Sequence, residues 1–230
     1  IRDSFKAMKG QTIGVIGVTG SGKSSLVNLI PRLYDATQGE VLVDGVNVKD
    51  YDIEALRNKV GIVMQKAVLF KGTIRENMWM GKKGATDEQI DEALEISQSK
   101  EFVDSKQGRL DYVIEQGGKN LSGGQRQRLT IARAIVRKPD VLILDDSASA
   151  LDFATDAALR KAIRGMNNSP TVFIVSQRAA SLMYADLIIV LDDGQVAGMG
   201  THDELLANCE VYKEIYESQF KKADSEGGVA

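Results

Sequence analysis

The sequence predicts an α/β fold with a parallel sheet, antiparallel β hairpins and an inserted helical lobe. Three observations support this prediction. A β-branched run over residues 12–18 leads through a Gly-rich loop into a helical pattern over 24–33. Apolar strand patterns and helical patterns alternate over 141–184, as they do when strands run parallel. Between about 72 and 118, strand patterns give way to helical ones.

The predicted domain spans residues 1–220. It divides into an α/β core over 1–71 and 138–220 and a helical lobe over about 72–137. The last residues, 221–230, are polar and Gly-rich, and this composition predicts a disordered tail. Because the sequence opens at Ile1 without an initiator Met, we expect an excised or processed domain.

Turn and capping signals place the early elements. Asp44-Gly45 is a strong hairpin signal between short strands at 39–43 and 46–48. An apolar strand over 60–64 ends at Gln65. Thr86-Asp-Glu-Gln89 has the form of a capping box, so a helix should start there and run through Ile96.

The later elements follow from hydrophobic periodicity and from helix stops. A helix over 122–137 ends at Lys138-Pro139, because the residue before a proline disfavours the helical conformation. Asp193-Gly194 is a second hairpin signal. The remaining elements are strands over 141–145, 171–175, 187–191 and 195–199 and helices over 152–164, 178–184, 201–206 and 211–220.

The composition is that of an ordinary globular protein. Of 230 residues, 43% are hydrophobic and 27% are charged, and the formal net charge is −3. This charge gives no electrostatic reason to expect nucleic acid as a partner. The longest apolar runs have strand length and fall short of the ~20 residues that span a bilayer. The single cysteine, Cys209, excludes an intrachain disulfide and fits a reducing compartment.

The Gly-rich loop has the spacing of a phosphate-binding loop, Gly17-x-x-x-x-Gly22-Lys23-Ser24. In this pattern, backbone N–H groups cradle phosphates, the lysine reaches the β- and γ-phosphate oxygens, and the serine hydroxyl ligates Mg²⁺. The alternative is a Gly-rich turn without a ligand, but the strand before the loop and the helix after it disfavour this. The predicted nucleotide contacts are Gly17, Thr19, Gly20, Ser21, Gly22, Lys23, Ser24 and Ser25.

A carboxylate at the end of a later strand completes the predicted phosphate site. Val141–Asp145 is an apolar strand that ends in aspartate. Ligands of open α/β sheets bind at the carboxyl ends of the strands. We therefore expect Asp145 to hold Mg²⁺, directly or through water.

A second glycine-rich motif, Leu121-Ser-Gly-Gly-Gln125, precedes Arg-Gln-Arg-Leu. With the phosphate loop, it makes the chain resemble the nucleotide-binding domain of an ATP-binding cassette (ABC) transporter, over nearly its whole length. The resemblance implies a P-loop NTPase core with the ABC ATPase fold, and MgATP as the ligand. It also implies that this signature caps the nucleotide of a partner domain. The signature residues are Leu121, Ser122, Gly123, Gly124 and Gln125.

Other segments carry the same resemblance. A glutamine like Gln65 contacts Mg²⁺ and the attacking water in the family and links the site to the membrane part. Ser149-Ala-Leu-Asp152 resembles the loop that crosses the dimer interface, and Asp152 is equally suited to cap the next helix. Leu69–Asn77 is typical of exporters in the family, and Glu115 resembles part of a loop that senses the membrane domain. The family's adenine-stacking aromatic is expected upstream of this sequence, since Phe5 is too close to the phosphate loop.

Two positions depart from the pattern of hydrolysing members. Asp146 stands where the family has a catalytic glutamate, and Gln177 stands where it has a switch histidine. Aspartate is one methylene shorter than glutamate, and glutamine cannot carry a proton as histidine can. The only histidine, His202, has the sequence context of surface or capping structure. The two changes could be those of an engineered trapped mutant, but together they resemble the weak site of a heterodimeric exporter.

The leading functional hypothesis is therefore the motor domain of an ABC exporter. The resemblance implies a second nucleotide-binding domain as partner, more typically in a heterodimer than a homodimer. It also implies a transmembrane domain outside this sequence, which would hold the chain at the cytoplasmic face of the membrane. Two alternatives remain: a soluble ABC ATPase acting on chromosomes or ribosomes, and an ATP-dependent regulatory module without hydrolysis. The first usually shows a coiled-coil insertion or tandem cassettes, which this sequence lacks.

Overall fold

The computed structural model of the chain describes residues 4–147 and 150–226. Within these residues the strands are, in chain order, β1 (Thr12–Gly17), β2 (Leu42–Val43), β3 (Val46–Asn47), β4 (Val60–Val63), β5 (Gly72–Thr73), β6 (Val113–Ile114), β7 (Val141–Asp145), β8 (Thr171–Val175), β9 (Leu187–Asp192) and β10 (Gln195–Gly200). The α-helices of the same residues are α1 (Lys23–Asn28), α2 (Ile53–Lys59), α3 (Ile74–Trp79), α4 (Asp87–Ile96), α5 (Lys100–Asp104), α6 (Gly123–Ile135), α7 (Phe153–Arg164), α8 (His202–Asn208) and α9 (Glu210–Glu226).

The contacts of the chain group into two compact units. The first contains Ile1–Leu56 and Thr171–Ala230, and the second contains Arg57–Pro170. These boundaries differ from the predicted division into core and lobe, because β4 and β7 belong to the second unit together with the predicted lobe.

The first unit is built on four strands in the order β10-β9-β1-β8. β1 pairs in parallel with both β8 and β9, and β10 pairs with β9 antiparallel. All residues of β1 and β8 are buried, which explains their uninterrupted apolar sequences. The parallel pairing brings the ends of β1 and β8 to one edge of the sheet, where the phosphate loop begins.

The second unit contains the parallel pair β4 and β7 and a small antiparallel pair, β5 and β6. The residues of its helices α3, α4 and α6 that line the core are fully buried, among them Ile74, Met78, Ile90, Leu94 and Leu129. The α/β fold with parallel strands is thus confirmed. Across the described residues, none of the helices combines the length and the apolar composition that a bilayer span requires.

Several local predictions are confirmed with their mechanism. β7 and β8 have the predicted bounds. At the start of α4, Thr86 and Gln89 form the predicted capping box. Both predicted hairpin turns have two successive residues at positive φ, 50° and 78° at Asp44-Gly45 and 42° and 72° at Asp193-Gly194. Two-residue hairpin turns of this kind require that backbone conformation.

Two predicted helices are shorter in the structure. The helix predicted to reach Leu33 ends at Asn28, because Pro31 lacks an N–H and Arg32 has a φ of 51°. The helix predicted over 178–184 is only a 3₁₀ turn, Ala179–Ser181. In contrast, α9 extends to Glu226, into the stretch predicted to be disordered, and residues 227–230 of that tail lie outside the described residues.

Candidate functional site

The phosphate loop joins β1 to α1 and folds around the ammonium group of Lys23. The Nζ atom donates to the carbonyl oxygens of Gly17 and Val18, both at 2.7 Å. Only 8% of Lys23 is exposed. The ammonium group is therefore held inside the loop, where an anionic ligand would gain charge-assisted hydrogen bonds from it.

The backbone after Gly20 supplies the donors of the loop. Gly20 and Gly22 have φ angles of 87° and 95°, which favour glycine, and Gly22 is the residue before α1. The first helical hydrogen bond runs from the N–H of Leu26 to the carbonyl of Gly22 at 2.9 Å. The N–H groups ahead of Leu26, those of Lys23, Ser24 and Ser25 among them, precede the helical ladder and suit an anion.

Ser21 and Gly17 shape the interior of the loop. Ser21 is 2% exposed, and its hydroxyl lies 3.5 Å from the Lys23 ammonium. A Cβ added to Gly17 would lie 2.2 Å from the carbonyl oxygen of Leu191 in β9 and 2.5 Å from the Ser21 hydroxyl. Glycine at position 17 is therefore required by close packing against a neighbouring strand. Thr19, by contrast, lies exposed at the tip of the loop.

Gln177 follows β8 at the edge of the sheet where β1 leads into this loop. The β1–β8 register pairs Val15 with Val175, and the N–H of Ser176 donates to the carbonyl of Val15 at 3.1 Å. Gln177 is two residues beyond the last pair of this register. The side chain of Gln177 is exposed, so a ligand in the phosphate loop could reach it.

In the second unit, strand register brings Gln65 and Asp146 together. β4 and β7 pair Val63 with Leu144, and two further residues lead to Gln65 and Asp146. The side-chain amide of Gln65 donates to a carboxylate oxygen of Asp146 at 3.0 Å. The sequence predicted a site role for each residue, and the structure adds the hydrogen bond that joins them.

Asp145 and Asp146 differ in their surroundings although they are adjacent. Asp145 ends β7 and is 8% exposed, whereas Asp146 is half-buried and has a φ of 46°. Aspartate tolerates this left-handed conformation better than most residues because its short polar side chain can bond locally. The oxygens of Ser24, Asp145 and the Gln65 amide are hard donors of the type that Mg²⁺ prefers. The residues present thus fit that ion chemically.

The signature segment forms the start of α6 through a complete capping box. The hydroxyl of Ser122 accepts from the N–H of Gln125 at 3.2 Å, and the side-chain oxygen of Gln125 accepts from the N–H of Ser122 at 3.1 Å. The hydroxyl proton of Ser122 remains a donor, and Gly123 and Gly124 contribute the N–H groups between the two capped ones. These donors suit a phosphate at the helix start.

Contacts around the signature explain its shape. Arg126 donates to the carbonyl oxygen of Leu121 at 2.7 Å, and Leu121 itself is 5% exposed. A Cβ on Gly124 would lie 3.4 Å from the carbonyl oxygen of Ala150, an ordinary contact distance.

Asp152 caps α7, as the sequence predicted. Its carboxylate accepts from the N–H of Thr155 at 2.9 Å and from the Thr155 hydroxyl at 2.8 Å. These bonds lower the pKa of Asp152, the backbone bond contributing most. Ser149, the first residue of the interface-loop motif, lies outside the described residues.

Sequence reasoning missed two residues that organise these loops. Gln219 in α9 bonds the main chain on both sides of Arg178, and no motif or periodicity marks it. Asn77 is fully buried and bonds the main chain of Phe70 and Thr73. The capping-box pattern of Thr73 and Glu76, which starts the helix that carries Asn77, was the available signal.

A protein-family model described as ABC transporter matches residues 2–149 of this chain. The chain belongs to the ABC transporter family. It is 46% identical over 223 residues to an uncharacterized ABC transporter ATP-binding protein of Bacillus subtilis, YfiB, covering 97% of this chain and 39% of that protein. A Staphylococcus aureus protein with the provisional name multidrug export ATP-binding/permease protein is 40% identical over 211 residues, covering 92% of this chain and 36% of that protein.

A solved structure supports the same conclusion. The structure of a bacterial Atm1-family ABC exporter with ATP bound matches with a TM-score of 0.89 and 32% identity, covering 94% of this chain and 38% of that chain. This chain is thus an exporter-like ATP-binding domain with the ABC ATPase fold, of a family that hydrolyses ATP. In exporters of this family, such domains pair with a second one and with a transmembrane domain, on the cytoplasmic side of the membrane. The chain spans less than half the length of these relatives.

Proposed function

We propose that this chain is the motor domain of an ABC exporter with a weakly hydrolytic ATP site of its own. It binds MgATP at its phosphate loop and lends its signature to the site of a partner domain. The observation that carries the nucleotide-binding part is the buried Lys23 ammonium, held at 2.7 Å by two carbonyl oxygens of the loop. A buried ammonium group in a loop of backbone N–H groups suits an anionic ligand such as phosphate, which gains charge-assisted hydrogen bonds there.

Different residues of the chain bind the phosphates and the metal ion of MgATP. Lys23 and the N–H groups at the start of α1 neutralise and orient the phosphates. Ser24 in the first unit and Asp145 and Gln65 in the second are the residues that would hold Mg²⁺, which would neutralise phosphate charge when bound. Because the Gln65 amide nitrogen is bonded to Asp146, the amide oxygen is the atom offered to the cation.

The weak hydrolysis follows from Asp146 and Gln177. A general base must reach its water within hydrogen-bond distance, and a misplacement of about 1 Å can lower the rate by roughly a hundredfold. Asp146 is one methylene short of glutamate and is engaged by Gln65. Gln177 can donate a hydrogen bond to a γ-phosphate but cannot carry a positive charge. Binding is thereby retained while the chemical step is slowed.

The contribution to a partner comes from the signature segment. Its capping box fixes the Ser122 hydroxyl and the N–H groups of Gly123 and Gly124 at the start of α6. Leu121 and Gln125 anchor this turn, and Asp152, the last residue of the interface-loop motif, caps α7. A partner that has the glutamate and the histidine missing here would make the pair a heterodimer with one competent site.

The surface of the second unit offers a place for the transmembrane domain. A surface cavity of about 410 Å³ is lined by Asn58, Trp79, Met80, Gly81, Lys82, Lys83 and Arg137. Trp79 and Met80 are 41% and 52% exposed, and exposed apolar residues with a polar rim are typical of interaction sites. A membrane domain seated here would hold the chain at the cytoplasmic face.

The test is to measure ATPase activity of the chain alone and mixed with a cassette that has glutamate and histidine at the two positions. We expect slow turnover alone and faster turnover in the mixture. Lys23→Met should abolish ATP binding to this chain but preserve the partner's site, whereas Ser122→Asp should silence the partner's site. Fast turnover of the chain alone, lost on Asp146→Asn, would contradict the weak-site proposal.

The same two departures also favour a second candidate, a regulatory module that binds ATP without any hydrolysis. It differs in one measurable outcome. ATP would still drive pairing with the competent cassette, but no product would form at this chain's own site even in the mixture.

A further inference from the structure

The loop that carries Gln177 has its main chain fixed at each of four successive residues. At one end, the N–H of Ser176 donates to the carbonyl of Val15 in β1 at 3.1 Å. The N–H of Arg178 donates to the Ser176 hydroxyl at 2.9 Å, and Ser176 is 5% exposed. These two bonds tie the beginning of the loop to the strand that leads into the phosphate loop.

The remaining two bonds come from one side chain on a distant helix. Gln219 in α9 donates from Nε2 to the carbonyl of Gln177 at 2.7 Å and accepts at Oε1 from the N–H of Ala179 at 2.9 Å. The amide thus spans the loop, with a donor and an acceptor matched to main-chain groups two residues apart. Ala179 is fully buried, which keeps the far end of the loop in place.

We propose that Gln219 is a positioning residue that sets the Gln177 side chain for contact with the terminal phosphate of ATP. The inference rests on the proposed function, because it assumes that ATP occupies the phosphate loop beside Gln177. Gln219 itself touches only main chain, while the Gln177 side chain is exposed to a ligand. Through this amide, α9 is joined to the nucleotide site by hydrogen bonds.

Positioning of the Gln177 side chain should affect the binding of ATP and not that of ADP. ADP lacks the phosphate that Gln177 is positioned to contact, so loss of positioning should affect ATP and spare ADP. A general loss of stability would weaken both. The ratio of the two dissociation constants therefore reports positioning, and a purely structural role would leave it unchanged.

The test uses Gln219→Met in the full chain, since methionine has similar length and helix propensity but no amide. The matched control is Ser218→Ala, whose hydroxyl bonds only within α9, to the carbonyl of Ile215 at 2.9 Å. We expect Gln219→Met to weaken ATP binding roughly two- to tenfold with ADP unchanged. Gln177→Ala should have a similar effect, and the double variant should be no weaker than Gln177→Ala alone.

A nucleotide-free measurement separates this inference from the proposed function. Amide hydrogen exchange at Ala179 should speed up in Gln219→Met and stay unchanged in Ser218→Ala. Unchanged exchange, or an ATP-to-ADP ratio equal to that of the wild type, would overturn the positioning role. If exchange responds while the wild-type chain binds ATP no better than Lys23→Met, the proposed ATP-binding function fails, and with it the ligand assigned to Gln177.

Discussion

Gln65 donates a 3.0 Å hydrogen bond from its side-chain amide to the carboxylate of Asp146. Each residue lies two positions beyond a parallel pair of β4 and β7, so strand register sets their separation. The carboxylate of Asp146 is therefore held on the Gln65 side chain.

Lengthening this carboxylate should restore activity at some loss of stability. Asp146→Glu moves the carboxylate outward by one methylene, toward the distance at which a general base can reach its water. We therefore expect ATP turnover at this site to rise by about tenfold or more. Because position 146 has a φ of 46°, where aspartate is tolerated better, the free energy of unfolding should fall by about 1 kcal/mol. ATPase assays and urea unfolding measure the two effects. Asp146→Asn is the matched control, and an equal gain in both variants would contradict the role of reach.

Two substitutions of Ser122 should separate its role in helix capping from its contact with phosphate. Aspartate caps helices as well as serine does, but its charge would face a phosphate. Ser122→Asp should leave the free energy of unfolding within about 0.5 kcal/mol of the wild type and lower the ATPase of the mixed pair at least tenfold. Ser122→Ala should instead lose about 1 kcal/mol of stability. Full activity of the Ser122→Asp pair would rule out a phosphate beside this hydroxyl.

The buried amide of Asn77 should matter more to stability than the ion pairs on the same helix. It makes three hydrogen bonds of 3.0 Å with the main chain of Phe70 and Thr73. Asn77→Leu leaves these groups unsatisfied, so we expect a loss of about 2–4 kcal/mol in urea unfolding. Arg75→Gln, which breaks surface ion pairs with Asp87 and Asp111, should cost about 0.5 kcal/mol. Equal losses in both variants would contradict this ranking.

Acid should remove the charged cap of α7. The bonds from Thr155 lower the pKa of Asp152, so the ionised form stabilises the folded state. This contribution is complete above the ordinary pKa of about 3.9 and is lost as pH falls through the lowered value. Asp152→Asn keeps an acceptor without the charge, so its difference from the wild type in unfolding free energy should shrink between roughly pH 5 and pH 3. A difference that stays constant over this range would show that the charge contributes nothing.

The elements predicted well were those with a complete local signal. β7 and β8 are buried apolar runs bounded by polar or breaking residues, and α4 and α6 start with capping boxes. The 3₁₀ turn after Arg178 was mistaken for a helix, because its backbone is held by Gln219, a residue far away in sequence. The short helix α3 was not placed, although Thr73 and Glu76 form a capping box.

In the candidate site too, features with a local sequence signal were predicted and features that depend on distant residues were not. The spacing of the phosphate loop located Lys23, and an apolar strand ending in aspartate located Asp145. The resemblance to ABC transporters located the signature residues. The bond between Gln65 and Asp146 depends on the register in which β4 and β7 pair, and neither strand's sequence predicts that register. The roles of the predicted site residues remain predictions, which the variants above would test.

The tight contact at Gly17 has a bearing on how phosphate-loop motifs are interpreted. Its glycine is imposed by the Leu191 carbonyl, which a Cβ would approach to 2.2 Å, whereas a Cβ on Gly20 would meet no atom within 4 Å. In a chain without a ligand, position 17 would still require glycine. Position 20 would have room for asparagine or aspartate, which tolerate a positive φ better than other residues. Retention of the first glycine therefore reports the packing of the sheet and is not by itself evidence of a bound nucleotide.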